Sequence, residues 1–266
     1  MPYKKPRLFL FFITLLISQK IISQQLVKPA HSHNDYLNKK PLFSALENQF
    51  KSIEVDVFLF NSKLYVGHNW FQLRKNKTIQ NLYLEPLWTE YIKNNGKIYN
   101  NGESLYLLVD IKTSAEKTYK ALKTILHKYK PMLTAVISDS LINRPLTIIL
   151  SGNRPIIKKS DNKDRFVFID GRHSDISKNK PNNIMPIISM SWLDHFTWAG
   201  VGEMKIEETL VLKKIINDVH IENKLIRFWA SPDNSNSWSR LRSEGVDLIN
   251  TDKIKQYSNY YQNTKN

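Results

Sequence analysis

The stretch AHSHNDYLNKKPLFSALENQFKSIEVDVFLFNSKLYVGHNW, starting at Ala30, holds His31, His33, Glu54, Asp56 and His68. Glu54 and Asp56 are two residues apart in a run rich in β-branched and aromatic residues, so on a strand both side chains point to one face. Asp110 and Lys112 repeat that spacing at the end of LYLLVDIK. Three carboxylates gathered in a narrow site repel one another unless a cation or protons offset the charge. Oxygen ligands without sulfur select a hard ion, so one divalent cation, Mg2+ or Ca2+, is expected on Glu54, Asp56 and Asp110. Imidazole titrates near neutral pH, and two histidines beside such an ion can run acid–base or nucleophilic chemistry at phosphorus. His31 and His68, each ending an apolar run, are the expected pair. His33 sits in a polar turn and is assigned a supporting hydrogen bond near the substrate.

This chemistry needs strands that end on one face. LVKPAHS, SIEVDVFLF, LYLLVDIKT, PLTIILSG, RFVFIDG, MPIISMSW, LIRFWAS and VDLINTD read as short apolar strands. KLYVGHN pairs back on SIEVDVFLF through the turn NSK. Helical spacing marks PLFSALENQF with Pro41 in its first turn, LEPLWTEYIKNNG ending at Gly96, and SAEKTYKALKTILHKYK capped by Ser114. KIEETLVLKKIINDVHIEN and NSWSRLRSEG complete the helices. Strand–helix alternation predicts an α/β fold, a single (β/α)8 TIM barrel, over residues 24–266. No glycine-rich phosphate loop follows the first strand, which argues against dinucleotide binding. In such a barrel, chemistry lies where strands run out into the following loops. Asp170, Trp192, Arg227, Trp229, Asn250 and Asp252 also fall at strand ends.

Composition narrows the partners. The 39 lysines and arginines exceed the 24 acidic residues in a chain of 266, a formal charge of +15. They are spread along the chain rather than clustered, so nucleic acid is not an expected partner, whereas peripheral contact with anionic lipid suits a basic surface. The absence of cysteine excludes disulfides and thiolate metal sites. PYKKPR, LFLFFITLLI and SQKIISQQ read as the three regions of a bacterial-type secretory signal peptide, residues 1–23, placing the mature protein in the periplasm or outside the cell. Trp70, Phe71, Trp192, Trp198 and Trp229 are candidates for an apolar rim, with core packing as the commoner role for aromatics.

The ordered set AHSHNDY, SIEVDV, YVGHN and LLVDIKT, continued by RFWASPDNSNSW and GVDLINTD, resembles the phospholipase-C-like phosphodiesterase superfamily. That superfamily includes phosphatidylinositol-specific phospholipase C and glycerophosphodiester phosphodiesterases, and the pattern here is similar to its AIM6-like branch. The resemblance implies a (β/α)8 barrel and a metal-dependent phosphoric diester hydrolase. Carried over by position, it implies His31 and His68 as the catalytic pair and Glu54, Asp56 and Asp110 as metal ligands. It also implies Lys112 as a contact to substrate phosphate and Trp229 near the substrate mouth. Two departures stand out. HSH replaces the H-R-G of glycerophosphodiesterases, removing an arginine that contacts phosphate, and Asp110 stands where a glutamate is usual. The resulting D-x-K form looks like that of sphingomyelinase-D-type relatives, which use one metal and intramolecular attack. The expected substrate is a small-molecule or lipid phosphodiester of glycerophosphodiester or phospholipid type. The alternative is a non-catalytic secreted barrel that binds phosphorylated ligands.

Overall fold

The computed structural model describes residues 26–157 and 164–264, so the expected signal segment at 1–23 lies outside the described residues. The first strands are β1 (Lys28–Ser32), β2 (Phe50–Phe60), β3 (Lys63–Val66) and β4 (Leu105–Ile111). Then follow β5 (Ala135–Ile137), β6 (Ser140–Ile142), β7 (Leu146–Gly152) and β8 (Asp164–Arg165). The last are β9 (Val167–Gly171), β10 (Ile187–Ser191), β11 (Leu225–Trp229) and β12 (Ile249–Thr251). Hydrogen bonding orders eight of these as β11-β10-β9-β7-β4-β2-β1-β12, every neighbour parallel. A parallel bridge from Arg227 to Leu248 joins the two ends. This is the expected (β/α)8 barrel, nearly closed, with the strands following one another round it in chain order. β3 folds back antiparallel on β2. Both turn residues, Asn61 and Ser62, have positive φ, as a two-residue hairpin with the twist of its strands requires.

The helices are α1 (Phe43–Glu47), α2 (Glu85–Lys93), α3 (Ala115–Leu126), α4 (Ile206–Ile221), α5 (Ser235–Ser243) and α6 (Ile254–Asn263). Two features depart from the sequence expectation. PLFSALENQF yields only the five-residue α1. After α3 the chain builds a small antiparallel sheet, β6-β5-β8, and among the described residues no α-helix separates β7 from β9 or β9 from β10. The connecting segments there, rich in Lys, Asn, Asp, Ser and Pro, carry no apolar stripe of helical period for the barrel to bury.

Alternation along each strand divides the core in two. Ile53, Val55, Val57, Leu107 and Val109 face outward into the layer under the helices. The inward positions begin apolar: Leu108, Ile149, Phe168, Ile187 and Leu248 form a separate buried cluster at the barrel floor. Two residues further along the same strands the inward positions turn polar, at Asp110, Ser151, Asp170, Ser189 and Asn250. The apolar floor thus carries a charged layer, open to solvent only at the strand C-termini.

The loop from β1 to α1 is tied to this frame by Asp35. Its buried carboxylate accepts from Ser32 Oγ at 2.8 Å, the Leu42 amide at 2.5 Å and the Tyr83 hydroxyl at 3.0 Å. Burial pushes the Asp35 carboxyl above its usual range, and these donors work against that rise. They also hold Leu42 at φ 66°, a costly backbone for a branched residue. Asp35→Ala strands an amide and a hydroxyl at about 1–3 kcal/mol each, so denaturant unfolding is expected to show a loss of about 2–5 kcal/mol. A loss below about 1 kcal/mol would contradict this role for Asp35.

Candidate active site

His31 lies on β1 opposite Ser52 and pairs in register with Asn250 of β12. It is fully buried, and Arg227 on β11, two strands away across the barrel seam, reaches it. His31 Nδ1 is 2.8 Å from Ser52 Oγ, while Nε2 faces Glu54 Oε2 at 2.9 Å and Arg227 Nη1 at 2.6 Å. Arg227 Nη1 also donates to Glu54 Oε2 at 2.7 Å and Asn250 Oδ1 at 3.2 Å, and its Nε donates to Ser189 Oγ. Burial first, then the Arg227 charge, lowers the His31 pKa from 6.5 to about 3. His31 is therefore neutral, with Nδ1 on the Ser52 hydroxyl and Nε2 lodged between the Glu54 carboxylate and the Arg227 guanidinium. For Glu54, burial opposes ionisation, but Arg227 and His31 outweigh it and hold the carboxyl well below the usual range. Below Arg227, Asp170 accepts from Ser151 Oγ at 2.8 Å, and burial raises its pKa.

One layer higher, Asp56 and Asp110 face each other in register on β2 and β4. The β2–β3 hairpin returns the chain so that the Gly67 amide meets the Asp56 carbonyl, which sets His68 above the Asp56 carboxylate. Asp56 Oδ2 receives His68 Nδ1 at 3.0 Å, the Tyr36 hydroxyl at 2.8 Å and Lys112 Nζ at 3.2 Å. Lys112 also reaches Asp110 Oδ1 at 3.2 Å, so its ammonium bridges two carboxylates rather than pairing with Asp110 alone. The cluster imposes its own glycine: a Cβ at Gly152, at the end of β7, would sit 2.1 Å from Asp110 Oδ1.

Ligand atoms of Glu54, Asp56 and Asp110 all lie within 4.8 Å of one another. Asp56 Oδ1 is buried without a hydrogen-bond partner, and Asp110 Oδ1, also buried, faces the Lys112 ammonium at 3.2 Å. Burial, followed by the Glu54 and Asp56 charges, raises the Asp110 pKa despite Lys112. Converging carboxylates whose mutual repulsion Lys112 offsets only in part, one of them with an unpartnered buried oxygen, suit a hard divalent cation.

The two remaining histidines face the mouth. His68 has a side chain 59% exposed, and that of His33 is 27% exposed. His33 Nδ1 is 2.8 Å from Asp252 Oδ1, just beyond β12. Its ring nitrogens lie 3.2 and 3.3 Å from the amide of Asn34, a left-handed residue whose Oδ1 is 2.8 Å from the Tyr36 hydroxyl. Burial disfavours a charge on His33, but the Asp252 hydrogen bond and the Glu54 and Asp252 charges outweigh it and raise the pKa above 6.5.

The structure thus gathers Glu54, Asp56, Asp110, Lys112, His33 and His68 at the mouth, and sets His31 beneath them. Trp229 ends β11 at the rim, 38% exposed. Trp70 and Phe71 are exposed just after His68, whereas Trp192 and Trp198 are core residues, the Trp192 ring packing on both Phe196 and Trp198. Arg227, Tyr36 and Asn34 enter the site although sequence reasoning assigned them no role. Arg227 could have been found from its inward parity with Trp229, two residues on.

A parallel barrel whose strand ends present a carboxylate cluster, a lysine and histidines is the architecture of the phospholipase-C-like phosphodiesterases. A family model described as the AIM6-like phosphodiesterase domain matches residues 19–170, and the chain belongs to that family. An "altered inheritance of mitochondria protein 6 homolog" of Arthroderma benhamiae is 30% identical over 88% of this chain and 83% of its own length. The Saccharomyces cerevisiae protein named altered inheritance of mitochondria protein 6 is 29% identical over 85% of this chain and 69% of its own length. Among solved structures, the fold is shared with a glycerophosphodiester phosphodiesterase of Parabacteroides distasonis, with TM-score 0.51 and 12% identity over 89% of this chain and 97% of the other. It is shared too with a Ca2+-dependent phosphatidylinositol-specific phospholipase C of Streptomyces antibioticus, with TM-score 0.53 and 9% identity over 86% and 95%.

These relatives correct one expectation. They are fungal proteins named for inheritance of mitochondria, not bacterial exported proteins, so the assignment to a bacterial-type secreted or periplasmic location falls.

Proposed function

We propose that this protein hydrolyses phosphoric diesters, with Glu54, Asp56 and Asp110 holding one divalent cation, Mg2+ or Ca2+. The observation that carries this reading is the convergence of three carboxylates, one with an unpartnered buried oxygen, beneath a lysine and two open histidines at the mouth of this barrel. The bound cation would act as a Lewis acid, offsetting charge that develops on the phosphoryl oxygens.

The acid–base pair moves from the sequence expectation. His31 has no open face and stays neutral, so its role is to orient Glu54 together with Arg227. His68, fixed through Nδ1 on Asp56, presents Nε2 to take a proton from an attacking water or substrate hydroxyl. His33, whose protonated form Asp252 favours, gives its proton to the leaving alkoxide. Lys112 supplies a positive charge to the phosphate from beside Asp110. The substrate class is a small-molecule or lipid phosphodiester of glycerophosphodiester or phospholipid type. The exposed Trp70 and Phe71 beside Arg74 and Lys75 would support peripheral contact with anionic lipid.

Hydrolysis of bis(p-nitrophenyl) phosphate tests the reading. Activity is expected to vanish in EDTA and to return with Mg2+ or Ca2+. Full activity in the chelator, or none with either ion, would overturn it.

A further inference from the structure

A second polar cavity opens beside the carboxylate cluster, and the proposed chemistry does not use it. It is a shallow, solvent-open depression of about 560 Å3 lined by Thr113, Ser114, Gly152, Asn153, Arg154 and Arg172. These residues follow the C-terminal ends of β4, β7 and β9, so the cavity belongs to the mouth of the barrel. Gly152 is the shared wall, packed on Asp110 with no room for a Cβ. Two cations line the cavity and no acidic side chain does.

The arginines differ in how their charge is met. Arg154 Nη1 donates to the Asp170 carbonyl at 2.6 Å and to Asp175 Oδ2 at 3.0 Å, so a carboxylate balances it. Arg172 Nη2 donates to the Gly152 carbonyl at 2.8 Å, and among the described residues no carboxylate lies within ion-pair distance of its guanidinium. Backbone carbonyls thus hold both guanidiniums in place before any ligand arrives, which reduces the ordering cost of binding. Asn153 is fixed likewise, its Nδ2 on the Thr113 carbonyl at 3.0 Å. Ser114 precedes α3 without capping it, leaving its hydroxyl uncommitted at the lip. A planar fork with an unmatched charge, presented in an open depression wide enough for a tetrahedral oxyanion, has the chemistry to bind phosphate.

We propose that this cavity is an anion subsite that receives a phosphomonoester group carried by the substrate alcohol, next to the scissile phosphodiester. The subsite deepens the hydrolase reading and rests on it for turnover, though anion binding stands apart from catalysis. Preferred substrates are then diesters whose alcohol bears a further phosphate. Binding that phosphate at Arg172 also sets the scissile group over Asp110 and Lys112, because Gly152 joins the two sites.

Two measurements on the full chain test the subsite. In EDTA, where the bare carboxylates repel anions, inorganic phosphate titrated by calorimetry is expected to bind the wild type saturably. Arg172→Gln and Ser114→Asp are expected to abolish that binding; the second adds a negative charge at the lip while offering α3 a good cap. With cation present, the ratio of kcat/KM for glycerophosphoinositol 4-phosphate over glycerophosphoinositol is expected to be about tenfold or more in the wild type, the scale of a charge-assisted bond. In both variants that ratio falls towards one. A merely structural role for Arg172 would lower both substrates together and leave the ratio unchanged, which overturns the proposal. A wild-type ratio near one, or phosphate binding unaffected by either variant, also overturns it. Phosphate binding lost in both variants without turnover of any diester upholds the subsite and sinks the hydrolase reading instead.

Discussion

Asp56→Asn is expected to lower kcat/KM on bis(p-nitrophenyl) phosphate about a thousandfold or more, at every Mg2+ or Ca2+ concentration tried. Asp56 is fully buried at the centre of the cluster, and its Oδ1 has no protein partner to replace a cation. Its other oxygen gathers Tyr36, His68 and Lys112, so the side chain serves both the ion and the positions of two groups around it. Asparagine keeps the volume but turns one acceptor into a donor facing the Lys112 ammonium. Loss of activity through general unfolding is separable from loss of the ion. The mutant removes one of three mutually repelling carboxylates, so cation-free thermal stability is expected to hold within a few degrees. The rise in Tm that cation binding confers on the wild type is expected to disappear. A mutant that retains cation-dependent turnover would refute Asp56 as a ligand.

His33→Ala is expected to cost about 10²–10⁴ in kcat, the range for removing a general acid. The sign of the pH dependence follows from the environment of His33. Asp252 and Glu54 raise its pKa above 6.5, so the protonated donor persists to higher pH than a free imidazole would allow and is lost as pH climbs past that raised value. The alkaline limb of kcat/KM therefore reports His33. Asp252→Asn removes a hydrogen bond and charge that hold the pKa up, so the limb is expected to move to lower pH. His31 behaves oppositely. Its pKa falls from 6.5 to about 3 on folding. Between those values the unfolded chain binds a proton that the folded chain refuses, so acidification through that window costs stability. His31→Ala is expected to act on stability and on the orientation of Glu54, without shifting the alkaline limb. A His33→Ala enzyme with normal activity and an unmoved limb would return the acid–base role to His31.

Much of the fold could be read from residue order. The apolar runs that became β1, β2, β4, β7, β9, β10, β11 and β12 stand out because a barrel buries both faces of its strands. The hairpin through Asn61 and Ser62 was legible from its polar turn. The missing helices between β7 and β10 were less so, since a sequence of weak periodicity does not say whether a short sheet or a bare loop will cover the barrel. α1 shrank to five residues because Asp35 pins Leu42 in a backbone incompatible with a longer helix.

For the site, spacing alone placed Glu54 with Asp56 and Asp110 with Lys112, since period-two alternation puts each pair on one face whatever surrounds it. That Asp56 and Asp110 meet depends only on the register of adjacent strands. The division between His31 and His33 was different. Both have inward parity, two residues apart, and no local signal says which lies under the charged layer and which opens to solvent. Arg227, nearly two hundred residues away in the chain, closes over His31 only because β11 meets β12 across the barrel seam. The sequence by itself determined which side chains would share the barrel interior. Burial, and the charge brought by a distant strand, decided which of them can carry a proton, because the depth of a group and its long-range partners exist only once the ring has closed.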